Sequence, residues 1–231
     1  MKNIIEQLER SSKVHTSVVD VDEFVRAAEK AFDCERSGTT SFSGWELPKN
    51  LPKDFNIGVI YGASGSGKTI LLNSFRGRKE SKHKWNRKNA IVSHFDTPDD
   101  AINRLSAVGL NSIPSWYKPY HVLSNGEKFR ADLSRSITDG ACIDEFSSVV
   151  DRNVAKAASM AISKYIKRNN IKNVVLATCH EDVLEWLEPD WVINSNTGEV
   201  YDENFIKDQT SISKYIEQTI VSGQCLKTIT I

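Results

Sequence analysis

The pattern of apolar and polar positions predicts strands that alternate with helices along most of the chain. Short apolar runs bounded by polar or glycine residues are typical of buried strands. They occur at 14–19, 55–61, 90–94, 141–144 and 173–178, and a hairpin-like pair follows at 191–194 and 199–201. Helical periodicity covers 21–32 and 152–168, and further helices are expected to begin near Lys68 and after Thr97. This alternation predicts an α/β fold with parallel strands.

Composition excludes several classes of protein. Hydrophobic residues make up 39% and charged residues 26% of the 231 positions, which is ordinary globular usage. Thirty basic residues balance thirty acidic ones, so no global field favours nucleic acid or an anionic membrane. No apolar run approaches the ~20 residues of a membrane helix, and no secretory segment follows Met1. The four cysteines lack metal-ligand spacing, which favours reduced thiols and a cytoplasmic location, with no membrane partner. They are Cys34, Cys142, Cys179 and Cys225.

A complete phosphate-binding motif, G-x-x-x-x-G-K-[ST], lies between a predicted strand and a predicted helix. Its residues are Gly62, Ala63, Ser64, Gly65, Ser66, Gly67, Lys68 and Thr69. Glycines let backbone amides converge on phosphate oxygens at a helix N-terminus. Lys68 is expected to reach the β and γ phosphates, and the Thr69 hydroxyl to ligate Mg²⁺. The expected ligand is a purine nucleotide with magnesium.

Three later segments resemble the motifs of ATP-binding-cassette (ABC) ATPases, in the order of that family. Leu123 to Arg130, here called the signature segment, resembles L-S-G-G-Q and the arginine that follows it. Cys142 to Asp151 resembles the Walker B strand, catalytic glutamate and D-loop, and Val174 to Asp182 resembles the switch-histidine segment. The resemblance implies a P-loop NTPase of the ABC-ATPase type with a mostly parallel sheet core. Because Lys68 and Leu123 are close in sequence, it also implies a reduced helical subdomain.

The resemblance assigns roles to side chains outside the phosphate loop. Asp144 is expected to orient Mg²⁺ through its waters, and Glu145 to polarise the attacking water. His180 is expected to donate a hydrogen bond to the γ-phosphate or to hold the water, which places it with Glu145 and Lys68 in catalysis. The ATP site is expected to be completed by Ser124, Gly126 and Asp151. The family pairs each signature with the phosphate loop of another subunit, so the resemblance implies a homodimer with ATP sandwiched between head-to-tail chains.

The signature segment and the region before it depart from the family pattern. Asn125 stands where the family usually has glycine, and Glu127 where transporters usually have glutamine. The usual glutamine that faces the metal after a strand is absent. After the predicted strand at 90–94, Asp96 is the first candidate for that metal-facing position and His94 the second.

A narrower resemblance covers about residues 55 to 200. The segments 113–122, 179–187 and 189–191 are similar to soluble ABC-type ATPases that bacteria fuse to a predicted acetyltransferase domain. The expected division of the chain is an N-terminal strand and helix segment at 1–54, an ATPase core at 55–205 and a C-terminal extension at 206–231.

Several functions stay open at this point. The first hypothesis is a soluble ATPase whose ATP-driven dimerisation acts on a macromolecular partner; the alternatives are a transporter's nucleotide-binding subunit, a P-loop kinase, and a module that binds ATP without turnover. The basic segment from Arg76 to Lys88, which contains Trp85, is suited to a nucleic-acid backbone or is a solvated loop. Phe42 and Trp45 are candidates to stack on adenine.

Overall fold

The computed structural model describes residues 4–33, 39–75 and 83–202, and places most of its strands in one sheet. The six strands of this sheet are β1 (Ile4–Gln7), β4 (Ile57–Tyr61), β5 (Cys142–Ile143), β6 (Val174–Thr178), β7 (Trp191–Asn194) and β8 (Glu199–Asp202). Their order across the sheet is β1-β8-β7-β4-β6-β5. A separate antiparallel pair consists of β2 (Arg10–Val18) and β3 (Thr39–Trp45).

The helices lie between these strands in chain order. They are α1 (Glu23–Phe32), α2 (Lys68–Phe75), α3 (Pro98–Ala107), α4 (Ile113–Trp116), α5 (Asn125–Ser136), α6 (Arg152–Arg168) and α7 (Val183–Leu187). Short 3₁₀ turns occupy Ile91–His94 and Tyr120–Val122. No helix in the described ranges is both long and apolar enough to cross a bilayer.

The centre of the sheet is parallel, as predicted. Strand β4 pairs in parallel with β6 and β7, and β5 pairs in parallel with β6, whereas β8 and β1 extend the sheet through antiparallel pairing. Ile57, Val59 and Ile60 of β4 are fully buried, because helices and loops cover both faces of the central strands. The carboxyl ends of β4, β5 and β6 therefore lie at one edge, where ligands bind in parallel sheets.

The predicted start of α3 is confirmed. The Thr97 hydroxyl accepts a hydrogen bond from the amide of Asp100 (3.1 Å), and Pro98 takes the first helical position. Asp99 and Asp100 lie in the first turn, where the helix dipole favours negative charge. Local sequence chemistry was sufficient to locate this helix.

The predicted strand at 90–94 is wrong, because this segment forms a 3₁₀ turn. His94 closes the turn: its Nε2 accepts from the amide of Asn86 (2.9 Å), so its Nδ1 carries the proton and donates to the Ala90 carbonyl (2.9 Å). The Trp85 indole packs edge-on against the same imidazole, with ring centroids 4.9 Å apart. The amide of Ile91 donates to the Lys118 carbonyl (3.0 Å) and not to a strand, so β5 is the edge of the described sheet.

The N-terminal part contains more strand than the pattern predicted. The predicted strand at 14–19 is the second half of β2, and the pattern predicted no strand at β1, where two isoleucines are followed by two polar residues. Other predictions fall outside the described residues: the extension at 206–231, the first part of the basic segment, Cys34 and Cys225.

Candidate functional site

The phosphate loop connects β4 to α2 at the carboxyl edge of the sheet. The Lys68 ammonium donates to the carbonyls of Gly62 (2.9 Å) and Ala63 (2.7 Å), and only 7% of the residue is exposed. In the described part of the chain, the amides of Gly67 and Thr69 make no hydrogen bond, because the first turn of a helix has no carbonyl four residues back. The fixed Lys68 ammonium lies beside backbone amides that have no hydrogen-bond partner among the described residues, and this combination suits the loop to binding an anion.

A cleft of about 270 Å³ opens over the loop. Its lining residues are Phe42, Ser64, Gly65, Gly67, Lys68, Thr69, Ile70 and Glu145. Glu145 and the phosphate loop are far apart in the sequence, and the fold brings them together at this cleft. The volume is slightly below the ~300–1,000 Å³ of ordinary small-molecule pockets, so this cleft has room for only part of a ligand of that size.

Of the two aromatic candidates for adenine, Phe42 lies at the cleft and Trp45 does not. A Cβ on Gly67, whose φ is +92°, would lie 2.6 Å from Cζ of Phe42, so only glycine allows this close approach. Trp45 is buried, donates its indole N–H to the Ser195 carbonyl (2.7 Å) and carries the Arg10 guanidinium 3.6 Å from its ring centroid. Its ring is occupied by the fold, so stacking of Trp45 on adenine is not supported.

Glu145 follows β5 in an unusual backbone conformation. Its φ is +52° and that of Ser147 is +65°, and both lie in the left-handed region that non-glycine residues rarely adopt. Phe146 between them is fully buried, and its amide donates to the Ala177 carbonyl (2.8 Å). This anchor forces the chain to turn on either side, and the exposed Glu145 carboxylate consequently reaches the cleft.

The predicted magnesium ligands have suitable chemistry. Mg²⁺ is bound through one or two protein oxygens, waters and substrate phosphates, so it needs no cluster of protein ligands. Among the residues described, no group of three or more His, Cys, Asp or Glu side chains is arranged to hold a metal alone. Thr69 lines the cleft and Asp144 directly precedes Glu145, which fits this mode. Asp96 is exposed between the 3₁₀ turn and α3, does not line the cleft, and its role stays a prediction.

The signature segment starts α5 with a capping box. The Ser124 hydroxyl accepts from the amide of Glu127 (3.3 Å), and the Glu127 carboxylate accepts in turn from the amide of Ser124 (2.8 Å). The Ser115 hydroxyl donates to the other carboxylate oxygen. These two donors, Ser115 first, lower the pKa of Glu127 from 4.5 to about 2. Neither Ser124 nor Gly126 lines the cleft of its own chain.

Replacing Glu127 with Gln should lower the free energy of unfolding near pH 7 by about 1 kcal/mol, because hydrogen bonds to a charged acceptor are the stronger ones. The folded pKa lies below the unfolded value. The stabilisation is therefore complete above pH 4.5 and is lost as the pH falls towards 2. Urea titrations of both proteins from neutral pH to about pH 3 measure the difference, which should narrow below pH 4.5. A difference that stays constant with pH contradicts the assignment.

An ion pair directly after the D-loop joins the start of α6 to the switch-histidine segment. The Asp151 carboxylate caps α6 by accepting from two first-turn amides, each at 3.0 Å. Arg152 next to it donates Nε to Asp182 (2.9 Å). His180 is half-buried two residues before Asp182, and its amide donates to the Thr178 hydroxyl (3.1 Å). Neither Asp151 nor His180 lines the cleft, so their predicted roles toward ATP stay predictions.

Sequence reasoning missed two residues in the turn between β7 and β8. Asn196 accepts a hydrogen bond from the amide of Ala63 (2.9 Å), and the hydroxyls of Ser195 and Ser66 are 2.6 Å apart. The turn was predicted as part of a hairpin, but nothing in its residues indicated that it reaches the phosphate loop.

Comparison with known proteins supports the fold. No protein-family model and no curated protein sequence matches the chain. Among solved structures, the dimeric post-hydrolysis state of the ATP-binding cassette MJ0796 bound to ADP and Pi matches with a TM-score of 0.51 and 12% identity, over 88% of this chain and 99% of that one. The protein cbiO1 from Clostridium perfringens, part of the ABC transporter complex cbiONQ, matches with a TM-score of 0.50 and 16% identity, over 77% and 88%. Such identities speak for the fold alone: the chain has the α/β P-loop fold of ABC-type ATPase domains.

Proposed function

We propose that the protein binds ATP with Mg²⁺ and hydrolyses it. The observation that carries the proposal is the convergence of Lys68, Thr69 and Glu145 on one cleft. A phosphate loop alone also suits kinases, but a carboxylate that faces the loop from β5 is placed to act on water. The kinase alternative offers no reason for the signature segment.

Each residue has a distinct task in this proposal. Lys68 exchanges the carbonyls of Gly62 and Ala63 for phosphate oxygens, and the open amides of the loop bind the remaining charge. Glu145 orients the attacking water and accepts its proton. Thr69 and Asp144 would hold Mg²⁺, which when bound neutralises charge on the phosphates.

We propose further that the working unit is a head-to-tail homodimer. The cleft of one chain is small, and its lining includes no residue of α5. Ser124 and the amide of Gly126 lie at a helix N-terminus, which favours an anion. A second chain that brings this helix end to the cleft would complete the site. The MJ0796 structure is described as dimeric, which supports a working unit of two chains.

The proposed client is macromolecular, and its class is open. A nucleic-acid client is one of the two alternatives for the basic segment, but the ring of Trp85 in that segment is already covered. Tyr120 stacks on its ring with centroids 5.0 Å apart, and the Arg135 guanidinium lies 4.7 Å from the centroid. Trp85 is therefore not free to stack on a base. The alternative of a transporter subunit is compatible with the fold. We also propose that residues 1–54 belong to the ATPase domain, since β1 pairs with β8.

Replacing Lys68 with Ala should weaken ATP binding by more than about tenfold, because a buried ammonium that meets phosphate is a strong charge-assisted partner. Fluorescence titration with a labelled ATP analogue and Mg²⁺ measures the effect. Lys164 on α6 is a suitable control, and Lys164→Ala should bind as the unaltered protein does. Equal affinities of the Lys68 variant and the unaltered protein would refute the proposed ATP site.

A further inference from the structure

The turn between β7 and β8, residues 195–198, makes side-chain contacts with both ends of the phosphate loop. Asn196 Oδ1 accepts from the amide of Ala63 near the start of the loop (2.9 Å). The Ser195 hydroxyl meets the Ser66 hydroxyl near its end (2.6 Å). These contacts bracket the part of the loop between Ala63 and Ser66, whose own closure is a hydrogen bond from the amide of Ser66 to the Ala63 carbonyl (3.2 Å).

The direction of the Ser195 contact follows from its other hydrogen bonds. The Ser195 hydroxyl donates its single hydrogen to the Tyr61 carbonyl (3.0 Å), so it must accept from Ser66. The amide of Ser195 also donates to Tyr61 (2.8 Å), which continues the pairing of β7 with β4 beyond the strand. Ser195 is 1% exposed. The Ser195 hydroxyl is therefore buried, and its bond to Tyr61 makes it the acceptor for Ser66.

The turn approaches the phosphate loop so closely that no residue larger than glycine fits at the first position of the loop. A Cβ on Gly62 would lie 2.2 Å from the Ser195 hydroxyl oxygen. The turn is held on its far side as well, because Trp45 donates to the Ser195 carbonyl (2.7 Å) and Gln7 donates to the Thr197 carbonyl (2.8 Å). The loop thus rests on a support that is fixed by two other strands.

We propose that Ser195 and Asn196 are positioning residues for the phosphate loop. They hold Ala63 and Ser66 in place. The backbone amides from Ala63 to the start of α2 are then already oriented towards the phosphates before ATP binds. A loop ordered in advance loses less conformational entropy on binding, and this raises affinity. The inference rests on the proposed ATP site and extends it to a turn whose residues do not line the cleft.

The test compares Asn196→Ala and Ser195→Ala with Thr197→Val in the intact chain. Thr197 lies in the same turn, but its hydroxyl donates to Glu199 (2.7 Å) and not to the loop. We expect each of the first two variants to bind a fluorescent ATP analogue about three- to tenfold more weakly, the effect of one lost hydrogen bond. KM for ATP should rise by the same factor while kcat at saturation stays unchanged.

The control Thr197→Val should keep its affinity, and thermal unfolding without nucleotide should differ little between Asn196→Ala and Thr197→Val because both residues are exposed. Ser195 is buried, so Ser195→Ala should unfold at a lower temperature, and its affinity is titrated well below that transition. Unchanged affinity in Asn196→Ala and Ser195→Ala would overturn the inference, as would a loss of kcat at constant KM. Absence of ATP binding by the unaltered protein would instead refute the proposed function, and the inference with it.

Discussion

Replacing Glu145 with Gln should reduce ATP turnover by about 10²–10⁴-fold and leave ATP binding intact. The amide keeps the size of the carboxylate but can neither accept the proton of water nor orient it with a negative charge. Lys68 and the loop amides, which bind the phosphates, are untouched by the change. Phosphate release measured under saturating ATP, together with an affinity titration, separates the two effects.

A matched control is Glu185→Gln, an exposed carboxylate on α7 away from the cleft, which should retain turnover. The expected stable ATP complex of the Glu145 variant also permits a second readout, since scattering should then show ATP-dependent dimers. Turnover at the parental rate in Glu145→Gln would remove Glu145 from the catalytic assignment.

Mixing two inactive variants should restore activity if each site is shared between chains. Lys68→Ala damages the phosphate loop and Ser124→Arg damages the signature segment, so each homodimer has two defective sites. In a mixed dimer one site carries both defects, and the other joins an intact loop to an intact signature. Since half the dimers are mixed, activity should recover to about a quarter of the parental value.

The control for Ser124→Arg is Thr97→Arg, because Thr97 is likewise an exposed cap at the start of a helix. Both changes remove a capping bond worth about 1 kcal/mol, but only Ser124 is assigned to ATP. Activity should persist in Thr97→Arg. A mixture that stays inactive, in combination with no ATP-dependent dimer of Glu145→Gln, would refute the shared site.

Local chemistry made much of the fold predictable. Thr97 and Pro98 located α3, and the apolar runs located β4 and β6, because caps and buried strands are determined by adjacent residues. The prediction of a strand at 90–94 failed for the opposite reason. The apolar pair in this segment also suits a strand, and only contacts with Trp85 and Lys118 make it a turn. Tertiary contacts of this kind have no signal in the pattern.

The site was predictable where one short motif contains all the residues that its chemistry needs. The phosphate loop carries its glycines, lysine and threonine in eight consecutive residues, and Glu145 was assigned from the resemblance. The missed residues, Ser195 and Asn196, act through hydrogen bonds across 129 and 133 residues. Their side chains are ordinary turn residues, and their role depends on the pairing of β7 with β4.

That long separation has a consequence for how the protein is made. A ribosome delivers the phosphate loop early, but the turn that supports it comes more than a hundred residues later, after α6, β6 and α7. Contacts between distant residues form late in folding, because the intervening chain must first be ordered. The nascent chain should therefore acquire full affinity for ATP only after β7 and β8 have emerged, and tight nucleotide binding becomes a marker that the sheet has been assembled as far as β8.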